Sequence, residues 1–110
     1  MSYLESVIER VKERHASEPE FCQTVEEVLG SLKPVIDQHP EYERVDLLGR
    51  MVEPDRMFSF RVVWQDDEGQ YHTNIGYRCQ FNGALGPYKG GIRFHPTVNQ
   101  SVIKFLGFEQ

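Results

Sequence analysis

Apolar positions recur at helical spacing in the first part of the chain and switch to strict alternation in the middle. Leu4, Val7, Ile8 and Val11 fall three or four residues apart, and Ser2 with Glu5 makes an S-x-x-E capping box, so an amphipathic helix is predicted from the N-terminus to about His15. Ser17 with Glu20 repeats the cap, Pro19 suits a first turn, and Phe21, Val25, Val28, Leu29 and Leu32 form one stripe. A second helix is therefore predicted up to Pro34. His39-Pro40 interrupts the pattern, after which Tyr42, Val45, Leu47 and Leu48 predict a short third helical segment closed by Gly49 and Pro54. Striped helices joined by short polar links need cover, either from a later sheet or from another subunit.

From Met57 the period becomes two. Phe58, Phe60, Val62 and Trp64 alternate with Ser59, Arg61 and Val63, and beyond the turn Asp66-Asp67-Glu68-Gly69 the odd positions from Tyr71 to Phe81 alternate with His72, Asn74, Gly76, Arg78 and Gln80. These runs predict an antiparallel hairpin. Asn82-Gly83 marks another turn, and Ile92 and Phe94 around Arg93 predict a short third strand. Thr97 with Gln100 opens a last helix carrying Val98, Val102, Ile103, Phe105, Leu106 and Phe108. That helix is apolar around much of its circumference and reaches the last residue without a stop signal, so the chain reads as the front of a longer polypeptide.

Composition narrows the function classes. At 110 residues, 39% hydrophobic and 26% charged, the chain fits one α+β domain that buries roughly two-thirds of its unfolded surface. No apolar run approaches the about 18 residues of a membrane span, and no leader pattern is visible, so a cytoplasmic location is expected. A net charge of −5 without a basic cluster argues against nucleic acid and anionic membranes as partners. Cys22 and Cys79 form no CxxC and read as reduced structural thiols, while His15, His39, His72 and His95 lack metal-ligand spacing. The candidate chemistry lies between Gly86 and Gly91, where glycines and Pro87 surround Lys89. This loop matches neither the Walker A nor the dinucleotide pattern. Two readings remain open from these residues: a solvated charge beside a tight turn, or a cation presented to a small carboxylate near the backbone donors of the following helix start. Arg93 reads equally as an ion-pair partner or a ligand contact.

The stretches GPYKGGIRFHP and NQSVIKFLGFEQ, preceded by YRCQFNGALGPYKGG, closely resemble the N-terminal segment of hexameric glutamate dehydrogenases of the Glu/Leu/Phe/Val dehydrogenase family, and PEFCQTVEEVL with HPEY extends the likeness toward the N-terminus. The resemblance implies that residues 1–110 are the N-terminal part of an α/β substrate-binding and oligomerisation domain: about 1–50 helical, 56–95 strands and glycine loop, and 97–110 helix. A Rossmann cofactor domain would follow. It implies that Lys89 binds the side-chain carboxylate of glutamate, that Gln110 helps hold the α-carboxylate, and that Gly90 and Gly91 let substrate lie close. No catalytic, cofactor-binding or metal residue falls within the stretch by this resemblance, because the catalytic lysine and aspartate of the family lie downstream. The implied reaction is reversible oxidative deamination of L-glutamate to 2-oxoglutarate and ammonia with NAD or NADP, in a homohexamer. The competing expectation is a non-catalytic assembly module whose loop is only a turn.

Overall fold

The computed structural model describes residues 1–110, in the order α1 (Tyr3–Arg14), α2 (Pro19–Gln38), α3 (Pro40–Arg44), α4 (Leu47–Met51), β1 (Arg56–Gln65), β2 (Tyr71–Gln80) and α5 (Gln100–Glu109). This is an α+β arrangement: helices gathered around one core and a two-stranded antiparallel sheet extending from it. The core consists of Leu4, Val7 and Val11 of α1, Phe21, Val25 and Leu29 of α2, and Leu48, Val52 and Phe81. Phe108 of α5 closes it, its ring centroid 6.0 Å from Phe21 and 5.5 Å from Phe81. The stripes read from the sequence are thus covered mainly by one another and by α5. No helix is long and apolar enough to cross a membrane.

Several local expectations change for identifiable reasons. The Ser2–Glu5 capping box forms, with Ser2 Oγ accepting the Glu5 N–H at 3.2 Å. The predicted Ser17–Glu20 box does not: Glu18 is the N-cap of α2 and makes no side-chain cap bond. Its carboxylate is drawn inward to Lys104, at 2.9 Å, and the Glu20 carboxylate accepts instead from Ser101 Oγ at 2.6 Å. Helix α2 does not stop at Pro34 but passes through it to Gln38. An interior proline costs a helix about 3 kcal/mol, and here Leu32 and Ile36 on either side of it pack against the core and hold the last turn in place. The predicted third helical segment is two short helices, divided at Asp46, which adopts the left-handed conformation (φ 49°). Its side chain accepts from Gly49 N–H at 3.2 Å and from Tyr3 Oη at 2.7 Å, ties that offset the strain of that backbone.

The hairpin pairs in the register Arg56↔Gln80 through Gln65↔Tyr71. Asp66 sets its turn, one carboxylate oxygen accepting the N–H groups of Glu68 and Gln70 at 2.9 Å each, with Gly69 at φ 81°. The predicted third strand around Ile92 and Phe94 is absent, and the sheet has two strands only. Those two side chains are 83% and 90% exposed, and the segment pairs with neither free edge of the hairpin. The cap of α5 is Asn99, whose Oδ1 accepts the Val102 N–H at 2.9 Å; Thr97, expected in that place, bonds His95 Nδ1 at 2.8 Å through its hydroxyl.

Candidate functional site

The glycine loop leaves the core at Phe81 and runs along an open groove shared with one face of the hairpin and the far end of α5. Lys89, Gly90, Gly91 and Gln110 all line this groove. The sequence therefore singled out four residues that the fold brings to one concave surface. Lys89 is exposed and takes part in none of the chain's ion pairs. Gly90 is where contact is closest: a Cβ there would overlap the Oε1 of Gln110, so only glycine lets the amide of Gln110 lie against the loop backbone. The lysine stem thus begins one residue from the Gln110 amide. Gly91 faces open space, and Gly86, at φ 138°, is the loop position whose backbone favours glycine.

The expected juxtaposition of Lys89 with the start of the last helix is overturned. The C-terminal residue of α5, Gln110, reaches the loop, whereas its first turn lies against α2, with Gln100 bonding Glu18 and Ser101 bonding Glu20. A ten-residue helix is about 15 Å long, so the amides of its first turn are a helix length away from that contact.

The placement of Gln110 depends on how α5 is held. Gly107 lets the helix approach the hairpin, since a Cβ there would stand 2.9 Å from Cys79 Sγ. One turn earlier, Lys104 is 4% exposed, with its Nζ 2.9 Å from both Glu18 Oε1 and His15 Nδ1 and 4.6 Å above the Phe21 ring. His15 Nδ1 lies within hydrogen-bonding distance of both the Lys104 ammonium (2.9 Å) and the Glu18 carboxylate (3.0 Å), and its Nε2 is 3.0 Å from Glu53 Oε1. This buried polar cluster fixes α5 on α1 and α2. The sequence reading missed it, because a lysine inside a helical pattern reads as solvated; the available signal was its place between Ile103 and Phe105 on an otherwise apolar helix.

Both cysteines are free. Burial pushes the Cys79 thiol up to about 11, and burial together with nearby Glu18 raises that of Cys22, which agrees with a packing role for both. Arg93 is exposed and appears in no ion pair, which removes the first of its two readings within this chain.

Helical core, projecting hairpin and lysine-bearing groove define an α+β unit that presents one concave surface. Residues 54–110 match the family described as Glu/Leu/Phe/Val dehydrogenase, dimerisation domain, and the chain belongs to the Glu/Leu/Phe/Val dehydrogenase family. It is 65% identical over 108 residues to the NAD-specific glutamate dehydrogenase of Clostridium symbiosum, covering 98% of this chain and 24% of that protein. It is 59% identical over 107 residues to the NADP-specific glutamate dehydrogenase of Psychrobacter sp. (strain TAD1), covering 97% of this chain and 24% of that protein. A solved glutamate dehydrogenase with 65% identity superposes with a TM-score of 0.94 over 98% of this chain and 24% of its own. The chain accordingly spans about a quarter of the length of these relatives and corresponds to their N-terminal segment.

Proposed function

We propose that this chain is the substrate-anchoring segment of a glutamate dehydrogenase, which interconverts L-glutamate with 2-oxoglutarate and ammonia while hydride passes to or from NAD or NADP. Lys89 holds the side-chain carboxylate, Gln110 donates its amide to the α-carboxylate, and Gly90 and Gly91 keep the backbone clear for the carbon chain between them. The observation that carries this reading is the contact of Gln110 with Gly90, which puts a neutral donor beside the root of a free cation in one groove. Two anchors of that kind suit a molecule with two carboxylates. Neither group needs to exchange a proton: their work is positioning, which turns binding into correct approach of the α-carbon to the nicotinamide. The cofactor and the proton-transfer groups belong to residues outside these 110.

The relatives' names support the reaction, and both an NAD-specific and an NADP-specific enzyme stand among them. The dimerisation-domain description, together with exposed Phe58, Phe60, Trp64 and Ile75 on the hairpin, supports self-association of the full-length protein, for which a cytoplasmic homohexamer is our reading. A purely structural assembly module finds less support, since nearly the whole chain aligns with proteins named as dehydrogenases. The test is Lys89→Leu in the full-length enzyme. Loss of a charge-assisted bond lowers kcat/KM for glutamate by about one to two decades and improves relative use of apolar amino acids. Unchanged preference between glutamate and norvaline would refute the assignment of Lys89.

A further inference from the structure

The loop that carries Lys89 is tied at two points to the rigid part of the chain. Tyr88 Oη donates to Asp55 Oδ2 at 2.6 Å, and the same oxygen accepts the Gly83 N–H at 3.3 Å. The Tyr88 ring covers Gly83, where an added Cβ would stand 3.1 Å from the phenol carbon and oxygen. Asp55 is itself fixed, its N–H donating to the carbonyl of core residue Phe81 at 2.9 Å. On the other side Arg78 of β2, paired with Phe58 in the hairpin, donates through Nη2 to the Tyr88 carbonyl at 3.3 Å. That carbonyl belongs to the peptide bond joining Tyr88 to Lys89. Gly86, with its positive φ, lies between the two tied ends, and its N–H donates to the Gly83 carbonyl at 3.2 Å, a backbone turn to which Tyr88 adds the side-chain tie.

We infer that Asp55, Tyr88 and Arg78 form a clasp that fixes where the Lys89 side chain starts relative to Gln110, and so sets the length of dicarboxylate that the groove accepts. The three are positioning residues that act through Lys89, and the inference rests on the reading of Lys89 as the ligand of the side-chain carboxylate. Its chemical basis is that glutamate and aspartate carry the same two charges and differ by one methylene. Two anchors at a fixed separation discriminate between them; two anchors on a slack loop do not. Loosening one anchor removes part of a binding contact made alike in the ground and transition states, so it is readable as a higher glutamate KM.

The experiment uses the full-length enzyme with glutamate and aspartate as probes. Tyr88→Phe keeps the ring on Gly83 and removes only the hydroxyl; the glutamate KM rises about threefold to tenfold, kcat changes by less than about twofold, and the preference for glutamate over aspartate falls by a similar factor. Asp55→Asn retains an acceptor oxygen and moves the same quantities less in the same direction. In the Lys89→Leu background Tyr88→Phe produces no further loss, because the clasp has nothing left to position. Glutamate KM within about twofold of the parent in both Tyr88→Phe and Asp55→Asn would overturn the inference, as would an equal loss in the Lys89→Leu background. Failure of the underlying reading looks different: the Lys89→Leu single variant would then keep the parent's preference for glutamate over norvaline.

Discussion

Phe21 and Phe60 show how differently the two regions of this chain treat an aromatic side chain. Phe21, on α2, is fully buried, with the rings of His15, Phe81 and Phe108 around it and the Lys104 ammonium above its face. Phe60, on β1, is 49% exposed and covers little beyond Gly76, as is expected of a two-stranded ribbon with no third layer. The helical region completes its core within 110 residues. The hairpin and glycine loop leave Phe58, Phe60, Trp64, Ile75, Ile92 and Phe94 exposed, an apolar surface of the kind that marks association or ligand binding. What the contrast teaches is a division of labour: one region supplies stability, the other presents surface.

That division is strained hardest by truncating one aromatic in each region. Phe21→Ala in the full-length protein removes a fully packed ring and destabilises by about 3 to 5 kcal/mol, seen as a lower urea midpoint. Phe60→Ala changes the unfolding free energy of the dissociated protein by less than about 1 kcal/mol but weakens self-association, seen in sedimentation velocity. Equal loss of stability from both would erase the distinction. Cys79 sharpens it from the seam, because its thiol sits where the base of β2 meets Gly107 of α5. Burial lifts the thiol from 9.0 to about 11, so the native protein carries about a hundredfold less thiolate at pH 8 than the unfolded chain. Alkylation by iodoacetamide at pH 8, read by mass spectrometry, is accordingly slow in buffer and fast in urea. The sign follows from proton linkage: a raised thiol value contributes stability that is complete below pH 9.0 and is lost as pH rises through about 11. Rapid native alkylation of Cys79 would mean that α5 does not rest on the hairpin.

The two regions were also legible in the sequence to different degrees. Helix periodicity located α1, α2 and α5, and alternation located the hairpin with its turn at Asp66, because these patterns are set by local geometry that tertiary contacts reinforce. Where long-range contacts win, local signals misled. Ser17 and Glu20 look like a capping box, but Glu18 takes the N-cap with its carboxylate on Lys104 and Glu20 serves Ser101; Pro34 looks like a stop but lies in a helix held by Leu32 and Ile36. Ile92 and Phe94 alternate as a strand does, yet alternation alone does not dock a segment on either free edge of the hairpin. At the site, the glycine loop and Lys89 stood out by composition and Gln110 through the family resemblance, while its contact with Gly90 is visible only in the fold; the order of strand, loop and capped helix pointed to the other end of α5. The Asp55–Tyr88–Arg78 clasp had no sequence signature, since its three members come from a connection, a loop and a strand.

The most direct measurement is a crystal structure of the full-length enzyme with glutamate bound. The account predicts Lys89 Nζ at about 2.7 to 2.9 Å from a side-chain carboxylate oxygen, the distance of a charge-assisted bond, with the Gln110 amide on the α-carboxylate. A glutamate whose side-chain carboxylate is held by other residues, with the Lys89 ammonium left in solvent, would contradict it.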